Sequence, residues 1–339
     1  MDPVAALREI GYWLERARAD THRIKAYRRA AETLTELSGE QRAAHERAGD
    51  WGTLAGIGPK TATIIGQSLA GDVPPYLAEL REAGAVPLAT GGEQVLAARR
   101  GELHMHSTWS DGGSSLEEMA VTAAGLGLEY AAITDHSPRL KVARGLSAAR
   151  LREQVAYVDD LNAALGDSFR LLRGIEVDIL DDGALDQAAD LLAELEVVVA
   201  SVHSKLRMDS ESMTHRMVGA IANPRVNVLG HCTGRLVEGE RGTRPQSVFD
   251  ASVVFEACRQ FEVAVEINAR PERCDPPDDL LELAIDTGCL FALNTDAHAP
   301  GQLDFAQYGA TRAQRLGLDP DRIINTWPVQ ELLDWCRVS

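Results

Sequence analysis

The feature that most constrains this chain is a series of short apolar runs that recur from residue 101 onward, each separated from the next by a helix-like segment. The runs are 103–107, 130–134, 171–177, 197–201, 226–230, 263–267 and 290–294. They are continuous rather than alternating, which suits strands buried on both faces, as in a parallel sheet covered by helices. Seven β/α units in about 200 residues predict an α/β fold, a (β/α) barrel more readily than an open doubly wound sheet. Residues 1–84 read instead as all-helical. Asp20 and Thr21 stand as caps before the periodic set Ile24, Tyr27, Ala30, Ala31 and Leu34. Pro59 suits the first turn of a later helix and Gly71 its end. Residues 85–100, with Gly84, Pro87, Gly91 and Gly92 in and beside them, read as a linker, which leaves 101–339 as the second domain.

Composition narrows the class. The chain has 339 residues and 45% hydrophobic content, enough for a real core. No segment is apolar enough to span a bilayer, and the N-terminus lacks a basic stretch leading into an apolar run. Five scattered cysteines without a CxxC pair suit reduced thiols, so a cytoplasmic protein is expected. The net charge of −17 is unevenly spread: residues 1–100 carry 13 basic and 13 acidic residues, so the whole excess lies beyond them. Such a field repels a polyanion at long range. A DNA partner would have to be held by the neutral N-terminal part or drawn in by bound cations.

Six of the nine histidines fall in or just after the strand candidates: His104, His106, His136, His203, His231 and His298. Asp111, Glu176 and Asp296 fall at the same ends. The C-terminal ends of barrel strands share one mouth, so these residues converge although they are far apart in sequence. His104 and His106 are two apart in a strand and face the same way. A mouth lined by imidazoles and a few carboxylates suits transition-type divalent cations, Zn²⁺, Mn²⁺ or Fe²⁺. Nine ligands suit three ions with positions left for water or substrate. Three such ions against three carboxylates give a net positive site fit for a phosphate. The expected chemistry is phosphoester hydrolysis with a metal-bound hydroxide as nucleophile. His22, His45 and His215 lack the placement and read as ordinary histidines.

Six ordered motifs carry a resemblance: Gly101-Glu-Leu-His-Met-His-Ser-Thr-Trp-Ser-Asp-Gly112, Ile133-Thr-Asp-His136, Gly174-Ile-Glu-Val-Asp178, Ala200-Ser-Val-His203, Gly230-His-Cys-Thr-Gly-Arg235 and Asn294-Thr-Asp-Ala-His298. They resemble the PHP (polymerase and histidinol phosphatase) family, above all the domain at the C-terminus of bacterial family-X DNA polymerases. The resemblance implies a distorted seven-stranded barrel with a trinuclear centre. It would put His104, His106, Glu176 and Asp296 on one ion, with Glu176 bridging to a second held by His203 and His231. Asp111, His136 and His298 would hold the third. Glu102 stands where the family usually has Asp, and Cys232 where it has Pro; Cys232 reads as a small packing residue. Arg235 and Lys205 are the candidates for gripping phosphate, beside Glu176 and His203 as catalytic residues.

Lys25-Ala-Tyr-Arg-Arg-Ala-Ala31 and Leu54-Ala-Gly-Ile-Gly-Pro-Lys60 resemble the small helix-hairpin-helix domain of the same polymerases. In such a hairpin, amides at a helix N-terminus hold a DNA phosphate. Lys25, Tyr27, Arg28, Gly56, Gly58 and Lys60 are therefore the candidate DNA contacts. A Schiff-base lysine found in related lyase domains would fall at Ile64, so lyase activity is not expected. Nor is polymerase activity, because the 16 residues of the linker cannot form a nucleotidyltransferase palm. Three readings follow: a phosphoesterase acting on DNA 3′ ends as exonuclease or 3′-phosphatase, a small-molecule phosphatase of the histidinol-phosphate type, and a non-catalytic DNA-end binding protein.

Overall fold

The computed structural model describes residues 1–166, 168–239 and 242–338. They form two units, 1–87 with 300–302, and 88–299 with 303–339.

The first unit is helical. Helices α1 (Pro3–Arg16), α2 (Thr21–Glu36), α3 (Gly39–Ala48), α4 (Pro59–Leu69) and α5 (Pro75–Gly84) surround an apolar centre that includes Leu7, Ile10, Leu34, Ile65 and Leu77. The caps follow the sequence logic. Asp20 accepts from the amides of His22 and Arg23 at the start of α2, and Ser38 and Gln41 cap α3 reciprocally.

The second unit begins earlier than the linker expectation allows. Residues 93–98 form a helix, α6 (Glu93–Ala98), and its Val95 is buried in the same core as the barrel strands. Seven parallel strands follow: β1 (Gly101–Met105), β2 (Tyr130–Ile133), β3 (Arg170–Asp178), β4 (Val197–Ser201), β5 (Val228–Leu229), β6 (Ala264–Asn268) and β7 (Phe291–Asn294). They pair in sequence order, and a parallel bridge from Met105 to Ala297 joins the first edge to the last, so the sheet is a nearly closed barrel. Helices α7 (Leu116–Gly125), α8 (Ala148–Leu165), α9 (Ala189–Leu192), α10 (Ser210–Ile221), α11 (Ala251–Gln260), α12 (Asp278–Thr287), α13 (Ala306–Arg315) and α14 (Val329–Val338) complete the unit.

Period-two alternation explains how an apolar barrel holds a polar site. Leu172, Val197, Val199, Val228, Ala264 and Ala292 form one apolar cluster with Leu332 and Leu333 of α14. Two or four residues further along the same strand faces come Glu176, Glu266 and Asn294, all buried. The filling is therefore hydrocarbon at the strand starts and polar at the strand ends.

Candidate metal centre

Glu176 is the hub of the mouth. It sits near the end of β3, 1% exposed, and each of its oxygens meets a different set of imidazoles. Oε1 lies 2.9 Å from His231 Nε2 and 3.2 Å from His203 Nε2. Oε2 lies 3.4 Å from His104 Nε2, 3.6 Å from His106 Nε2 and 2.8 Å from His136 Nδ1. Asp296 Oδ1 is 3.4 Å from His106 Nε2. Asp111 Oδ1 is 3.4 Å from both His136 Nε2 and His298 Nε2.

All nine residues picked from the sequence are thus gathered in one cluster. Four overlapping groups have ligand atoms close enough to share an ion: His106 with Asp111, His136 and His298; His104 with Glu176 and His231; His104 with His106 and Asp296; and His136 with Glu176 and His203. The chemistry of the donors fits divalent metals. His104 Nε2, His106 Nε2, His203 Nε2 and Glu176 Oε2 are buried with no partner in hydrogen-bonding geometry. An orphaned buried polar atom costs about 1–3 kcal/mol, and several in one place call for a ligand.

Supporting residues set the ring orientations. The Nδ1 of His104 lies 2.6 Å from Glu266 Oε1, and the other oxygen of Glu266 accepts from the backbone N–H of His231 at 2.7 Å. Asp178 accepts the amide of His203 and approaches its Nδ1 at 3.3 Å. His298 Nδ1 meets the Asp296 carbonyl at 2.8 Å, which leaves Nε2 toward the cluster. Asp135 gathers the loop after β1, accepting from Ser107 N–H and Oγ at 2.9 and 2.6 Å and from Gln154 Nε2 at 2.6 Å. Gly112 is needed in that loop because a Cβ there would lie 2.6 Å from the Ser107 backbone.

The metal-free electrostatics are strongly divided. Burial, with His298 and His136 beside it, pushes His106 down to about 3. Burial alone would also lower His203, but the Glu176 and Asp178 carboxylates raise it to about 9. Burial would raise Glu176; His203, His136 and His104 instead hold it well below the usual carboxylate range.

Several expectations need correction. Arg235 does not face the cluster: its guanidinium donates to the carbonyls of Arg273, at 3.0 Å, and Cys274, so it braces the loop after β6. Lys205 is exposed and paired with Asp181. Among the described residues two other cations reach the cluster, and neither stands out in the sequence. Arg273 Nε lies 2.9 Å from Asp296 Oδ2, and Arg270 Nη1 donates to the Asp296 carbonyl at 3.0 Å and lies 2.9 Å from His298 Nδ1. Glu102, which stands where the family usually has Asp, accepts from the His104 amide at 3.0 Å and from the Thr295 hydroxyl at 2.8 Å, tying β1 to the end of β7. Cys232 is buried in the core.

In the helical unit, Tyr27 and Arg28 are not surface contacts. Tyr27 is 5% exposed and stacks on Tyr76, with ring centroids 6.0 Å apart, and Arg28 is buried against Glu15. Lys25, Gly58 and Lys60 are exposed and Gly56 is half-buried. The Gly58 amide is engaged by Thr61 Oγ1 at 2.9 Å, within the hairpin itself. Ile64 lies in the core of that unit.

A nearly closed parallel barrel with a cluster of histidines and carboxylates at its mouth defines the class of protein. Residues 102–268 match the PHP domain model and residues 1–72 the helix-hairpin-helix domain model. The chain therefore carries a PHP domain, within its second unit. It is 38% identical over 264 residues to the DNA polymerase/3′-5′ exonuclease PolX of Bacillus subtilis, a match covering 77% of this chain and 45% of that protein. It is 26% identical over 233 residues to a probable phosphatase of Caldicellulosiruptor bescii, covering 66% of this chain and 90% of the relative. Among solved structures, histidinol phosphate phosphatase from Lactococcus lactis, complexed with zinc, L-histidinol and phosphate, aligns over 65% of this chain and 95% of its own, with a TM-score of 0.48 and 18% identity. No helix among the described residues is long and apolar enough to cross a membrane.

Proposed function

We propose that the chain is a metal-dependent phosphoesterase acting on DNA 3′ ends, as a 3′–5′ exonuclease or 3′-phosphatase. The observation that carries the hydrolytic part is the double approach to Glu176, with His203 and His231 at one oxygen and His104 and His106 at the other. In this reading three divalent ions, Zn²⁺, Mn²⁺ or Fe²⁺, would be held by His104, His106, Glu176 and Asp296; by Glu176, His203 and His231; and by Asp111, His136 and His298. Such ions would supply Lewis acidity toward a phosphoryl group and lower the pKa of a water at the site. The chain's own groups do the rest. Glu266 and Asp178 orient the imidazoles of His104 and His203, and the Asp296 carbonyl and Arg270 meet His298 at Nδ1, which leaves its Nε2 toward the cluster. Arg270 and Arg273 anchor Asp296 and add positive charge at the cluster, where the anionic ester must sit.

DNA is favoured by the helix-hairpin-helix match and by the Bacillus relative, whose name includes a 3′-5′ exonuclease. Lys25, Gly56 and Lys60 remain as contacts for a DNA phosphate, together with the first-turn amides of α4, while the Gly58 amide is taken by Thr61. A small-molecule phosphatase is the second reading, supported by the acidity of residues 101–339 and the Caldicellulosiruptor relative. A substrate panel with Mn²⁺ or Zn²⁺ decides between them: 3′-phosphorylated DNA, single-stranded DNA, abasic DNA and histidinol phosphate. Turnover of histidinol phosphate with no action on any DNA would defeat the first reading. Loss of all turnover in Glu176→Ala and His203→Ala is expected, and full activity in either would defeat both.

A further inference from the structure

The most exposed cluster residues are Asp111 and His298, whose side chains are 27% and 20% accessible, followed by His203 at 13%. The others, from His104 to Glu176, are at most 7% exposed. The centre therefore opens on the Asp111–His298–His203 side. One loop borders that opening on two sides. It runs from Ser137 to Leu146, directly after His136. At one end Arg139 Nε lies 3.6 Å from Asp178, the carboxylate behind His203. At the other end Arg144 donates to the carbonyl of Ser110, next to Asp111.

This loop is rigid and its chemistry is out of place. The Leu146 amide donates to the His136 carbonyl at 2.7 Å, and the Gly145 amide to the Leu140 carbonyl at 3.2 Å. A Cβ on Gly145 would lie 1.8 Å from the Ser137 oxygen, so only glycine lets the loop close. Ala143 and Leu146 are buried as anchors. Beside these anchors the loop exposes Lys141 and Val142, the latter 90% exposed. From Ser137 through Arg152 there are five cations and no carboxylate, inside a region whose net charge is −17. A lone exposed valine is ordinary. An exposed valine beside the exposed Lys141 and flanked by Arg139 and Arg144, in a loop tied at both ends to the surroundings of an anion-seeking centre, is a pattern that suits a strand, which presents repeating phosphates and apolar base or sugar faces. A small phosphate monoester has one anionic group, which the centre itself accounts for.

We propose that loop 137–146 grips a single-stranded DNA chain beside the reacting phosphoester, Arg139 and Lys141 on backbone phosphates and Val142 against a base or sugar. The assignment rests on the phosphoesterase reading above and gives that site its substrate class.

The test compares wild-type enzyme with Arg139→Ala/Lys141→Ala and with Val142→Ser, all metal-loaded, on a short oligodeoxynucleotide and on phenyl phosphate. Melting temperature and metal content serve as controls. The ratio of kcat/KM on the oligonucleotide to that on phenyl phosphate is expected to fall about tenfold in the double variant. The slope of log KM against log salt should shrink by about 1.4, the value for two lost contacts to a single strand. Val142→Ser should lower the ratio without changing the slope. A wild-type enzyme that degrades the oligonucleotide, with an unchanged ratio and slope in the double variant, overturns the loop assignment alone. A wild-type enzyme that hydrolyses phenyl phosphate but neither binds nor degrades the oligonucleotide overturns both the loop assignment and the DNA reading. No turnover of either substrate overturns the phosphoesterase reading and the loop assignment with it.

Discussion

Glu266 Oε1 lies 2.6 Å from His104 Nδ1, while its second oxygen accepts the His231 amide at 2.7 Å. One carboxylate in the middle of β6 thus sets two residues that approach Glu176 from opposite oxygens. Asn268 and Asn294 donate to the same carboxylate at 3.1 and 3.0 Å, so its own position is fixed. Glu266→Gln keeps the shape and removes the charge that makes His104 a strong ligand. Metal affinity is expected to fall by about 10- to 100-fold, the usual cost of losing such a partner. Titration against a competing chelator measures it, with an unchanged far-ultraviolet circular dichroism spectrum as the folding control.

Chelation should destabilise the barrel while leaving its secondary structure intact below the melting transition. The orphaned ligand atoms and crowded imidazoles are tolerable with metal present and costly without it. At free metal 100-fold above Kd, binding contributes about 2.7 kcal/mol per independent site. Calorimetric melting with and without chelator is expected to show a lower Tm in the chelated protein. Equal melting temperatures would mean that the cluster binds no metal in the folded state.

How far the sequence reveals this site depends on how each residue announces itself. A histidine at the end of an apolar run is conspicuous, so the ligand cluster is legible. Glu266 is less so: it stands inside the run Ala264–Asn268, where strand alternation puts it on the inner face with Asn268. Arg270 and Arg273 follow β6 in a loop, and nothing in local spacing tells that they turn back to Asp296 while Arg235 turns away. Tyr27 shows a conflict visible beforehand. It belongs to the apolar stripe of α2, and a residue on that stripe cannot also face DNA. The break between the two units was obscured because Gly91 and Gly92 look like linker, yet they lead into α6, whose Val95 packs in the barrel core.

Metal uptake should release protons near neutral pH. His203 is raised to about 9 by Glu176 and Asp178, so at pH 7.5 it carries a proton in the metal-free protein. A ligating imidazole must be neutral, so the ion has to displace that proton. Apparent affinity should therefore rise with pH up to about 9. The sign for stability is opposite: the charged His203 stabilises the metal-free fold fully below the unfolded histidine value near 6.5, and this contribution is lost as pH rises through about 9. Isothermal titration in buffers of different ionisation enthalpy counts the protons. An enthalpy independent of the buffer would contradict the prediction.

Arg28 and Lys60 separate fold from function in the helical unit. Arg28 is buried and pairs with Glu15, itself 3% exposed, so removing one partner strands a buried charge. Breaking such a pair typically costs about 3–5 kcal/mol. Arg28→Ala is therefore expected to lower the unfolding free energy of residues 1–87 by about 3 kcal/mol in urea denaturation followed at Trp51. Lys60 is exposed in the first turn of α4, and Lys60→Ala should leave that transition within about 0.5 kcal/mol of wild type. Its effect should appear in binding instead, as a weaker affinity for gapped duplex at low salt and a salt slope smaller by about 0.9. If Lys60→Ala bound gapped DNA as tightly as wild type while Arg28→Ala, still folded, lost binding, the roles assigned to the two residues would be reversed.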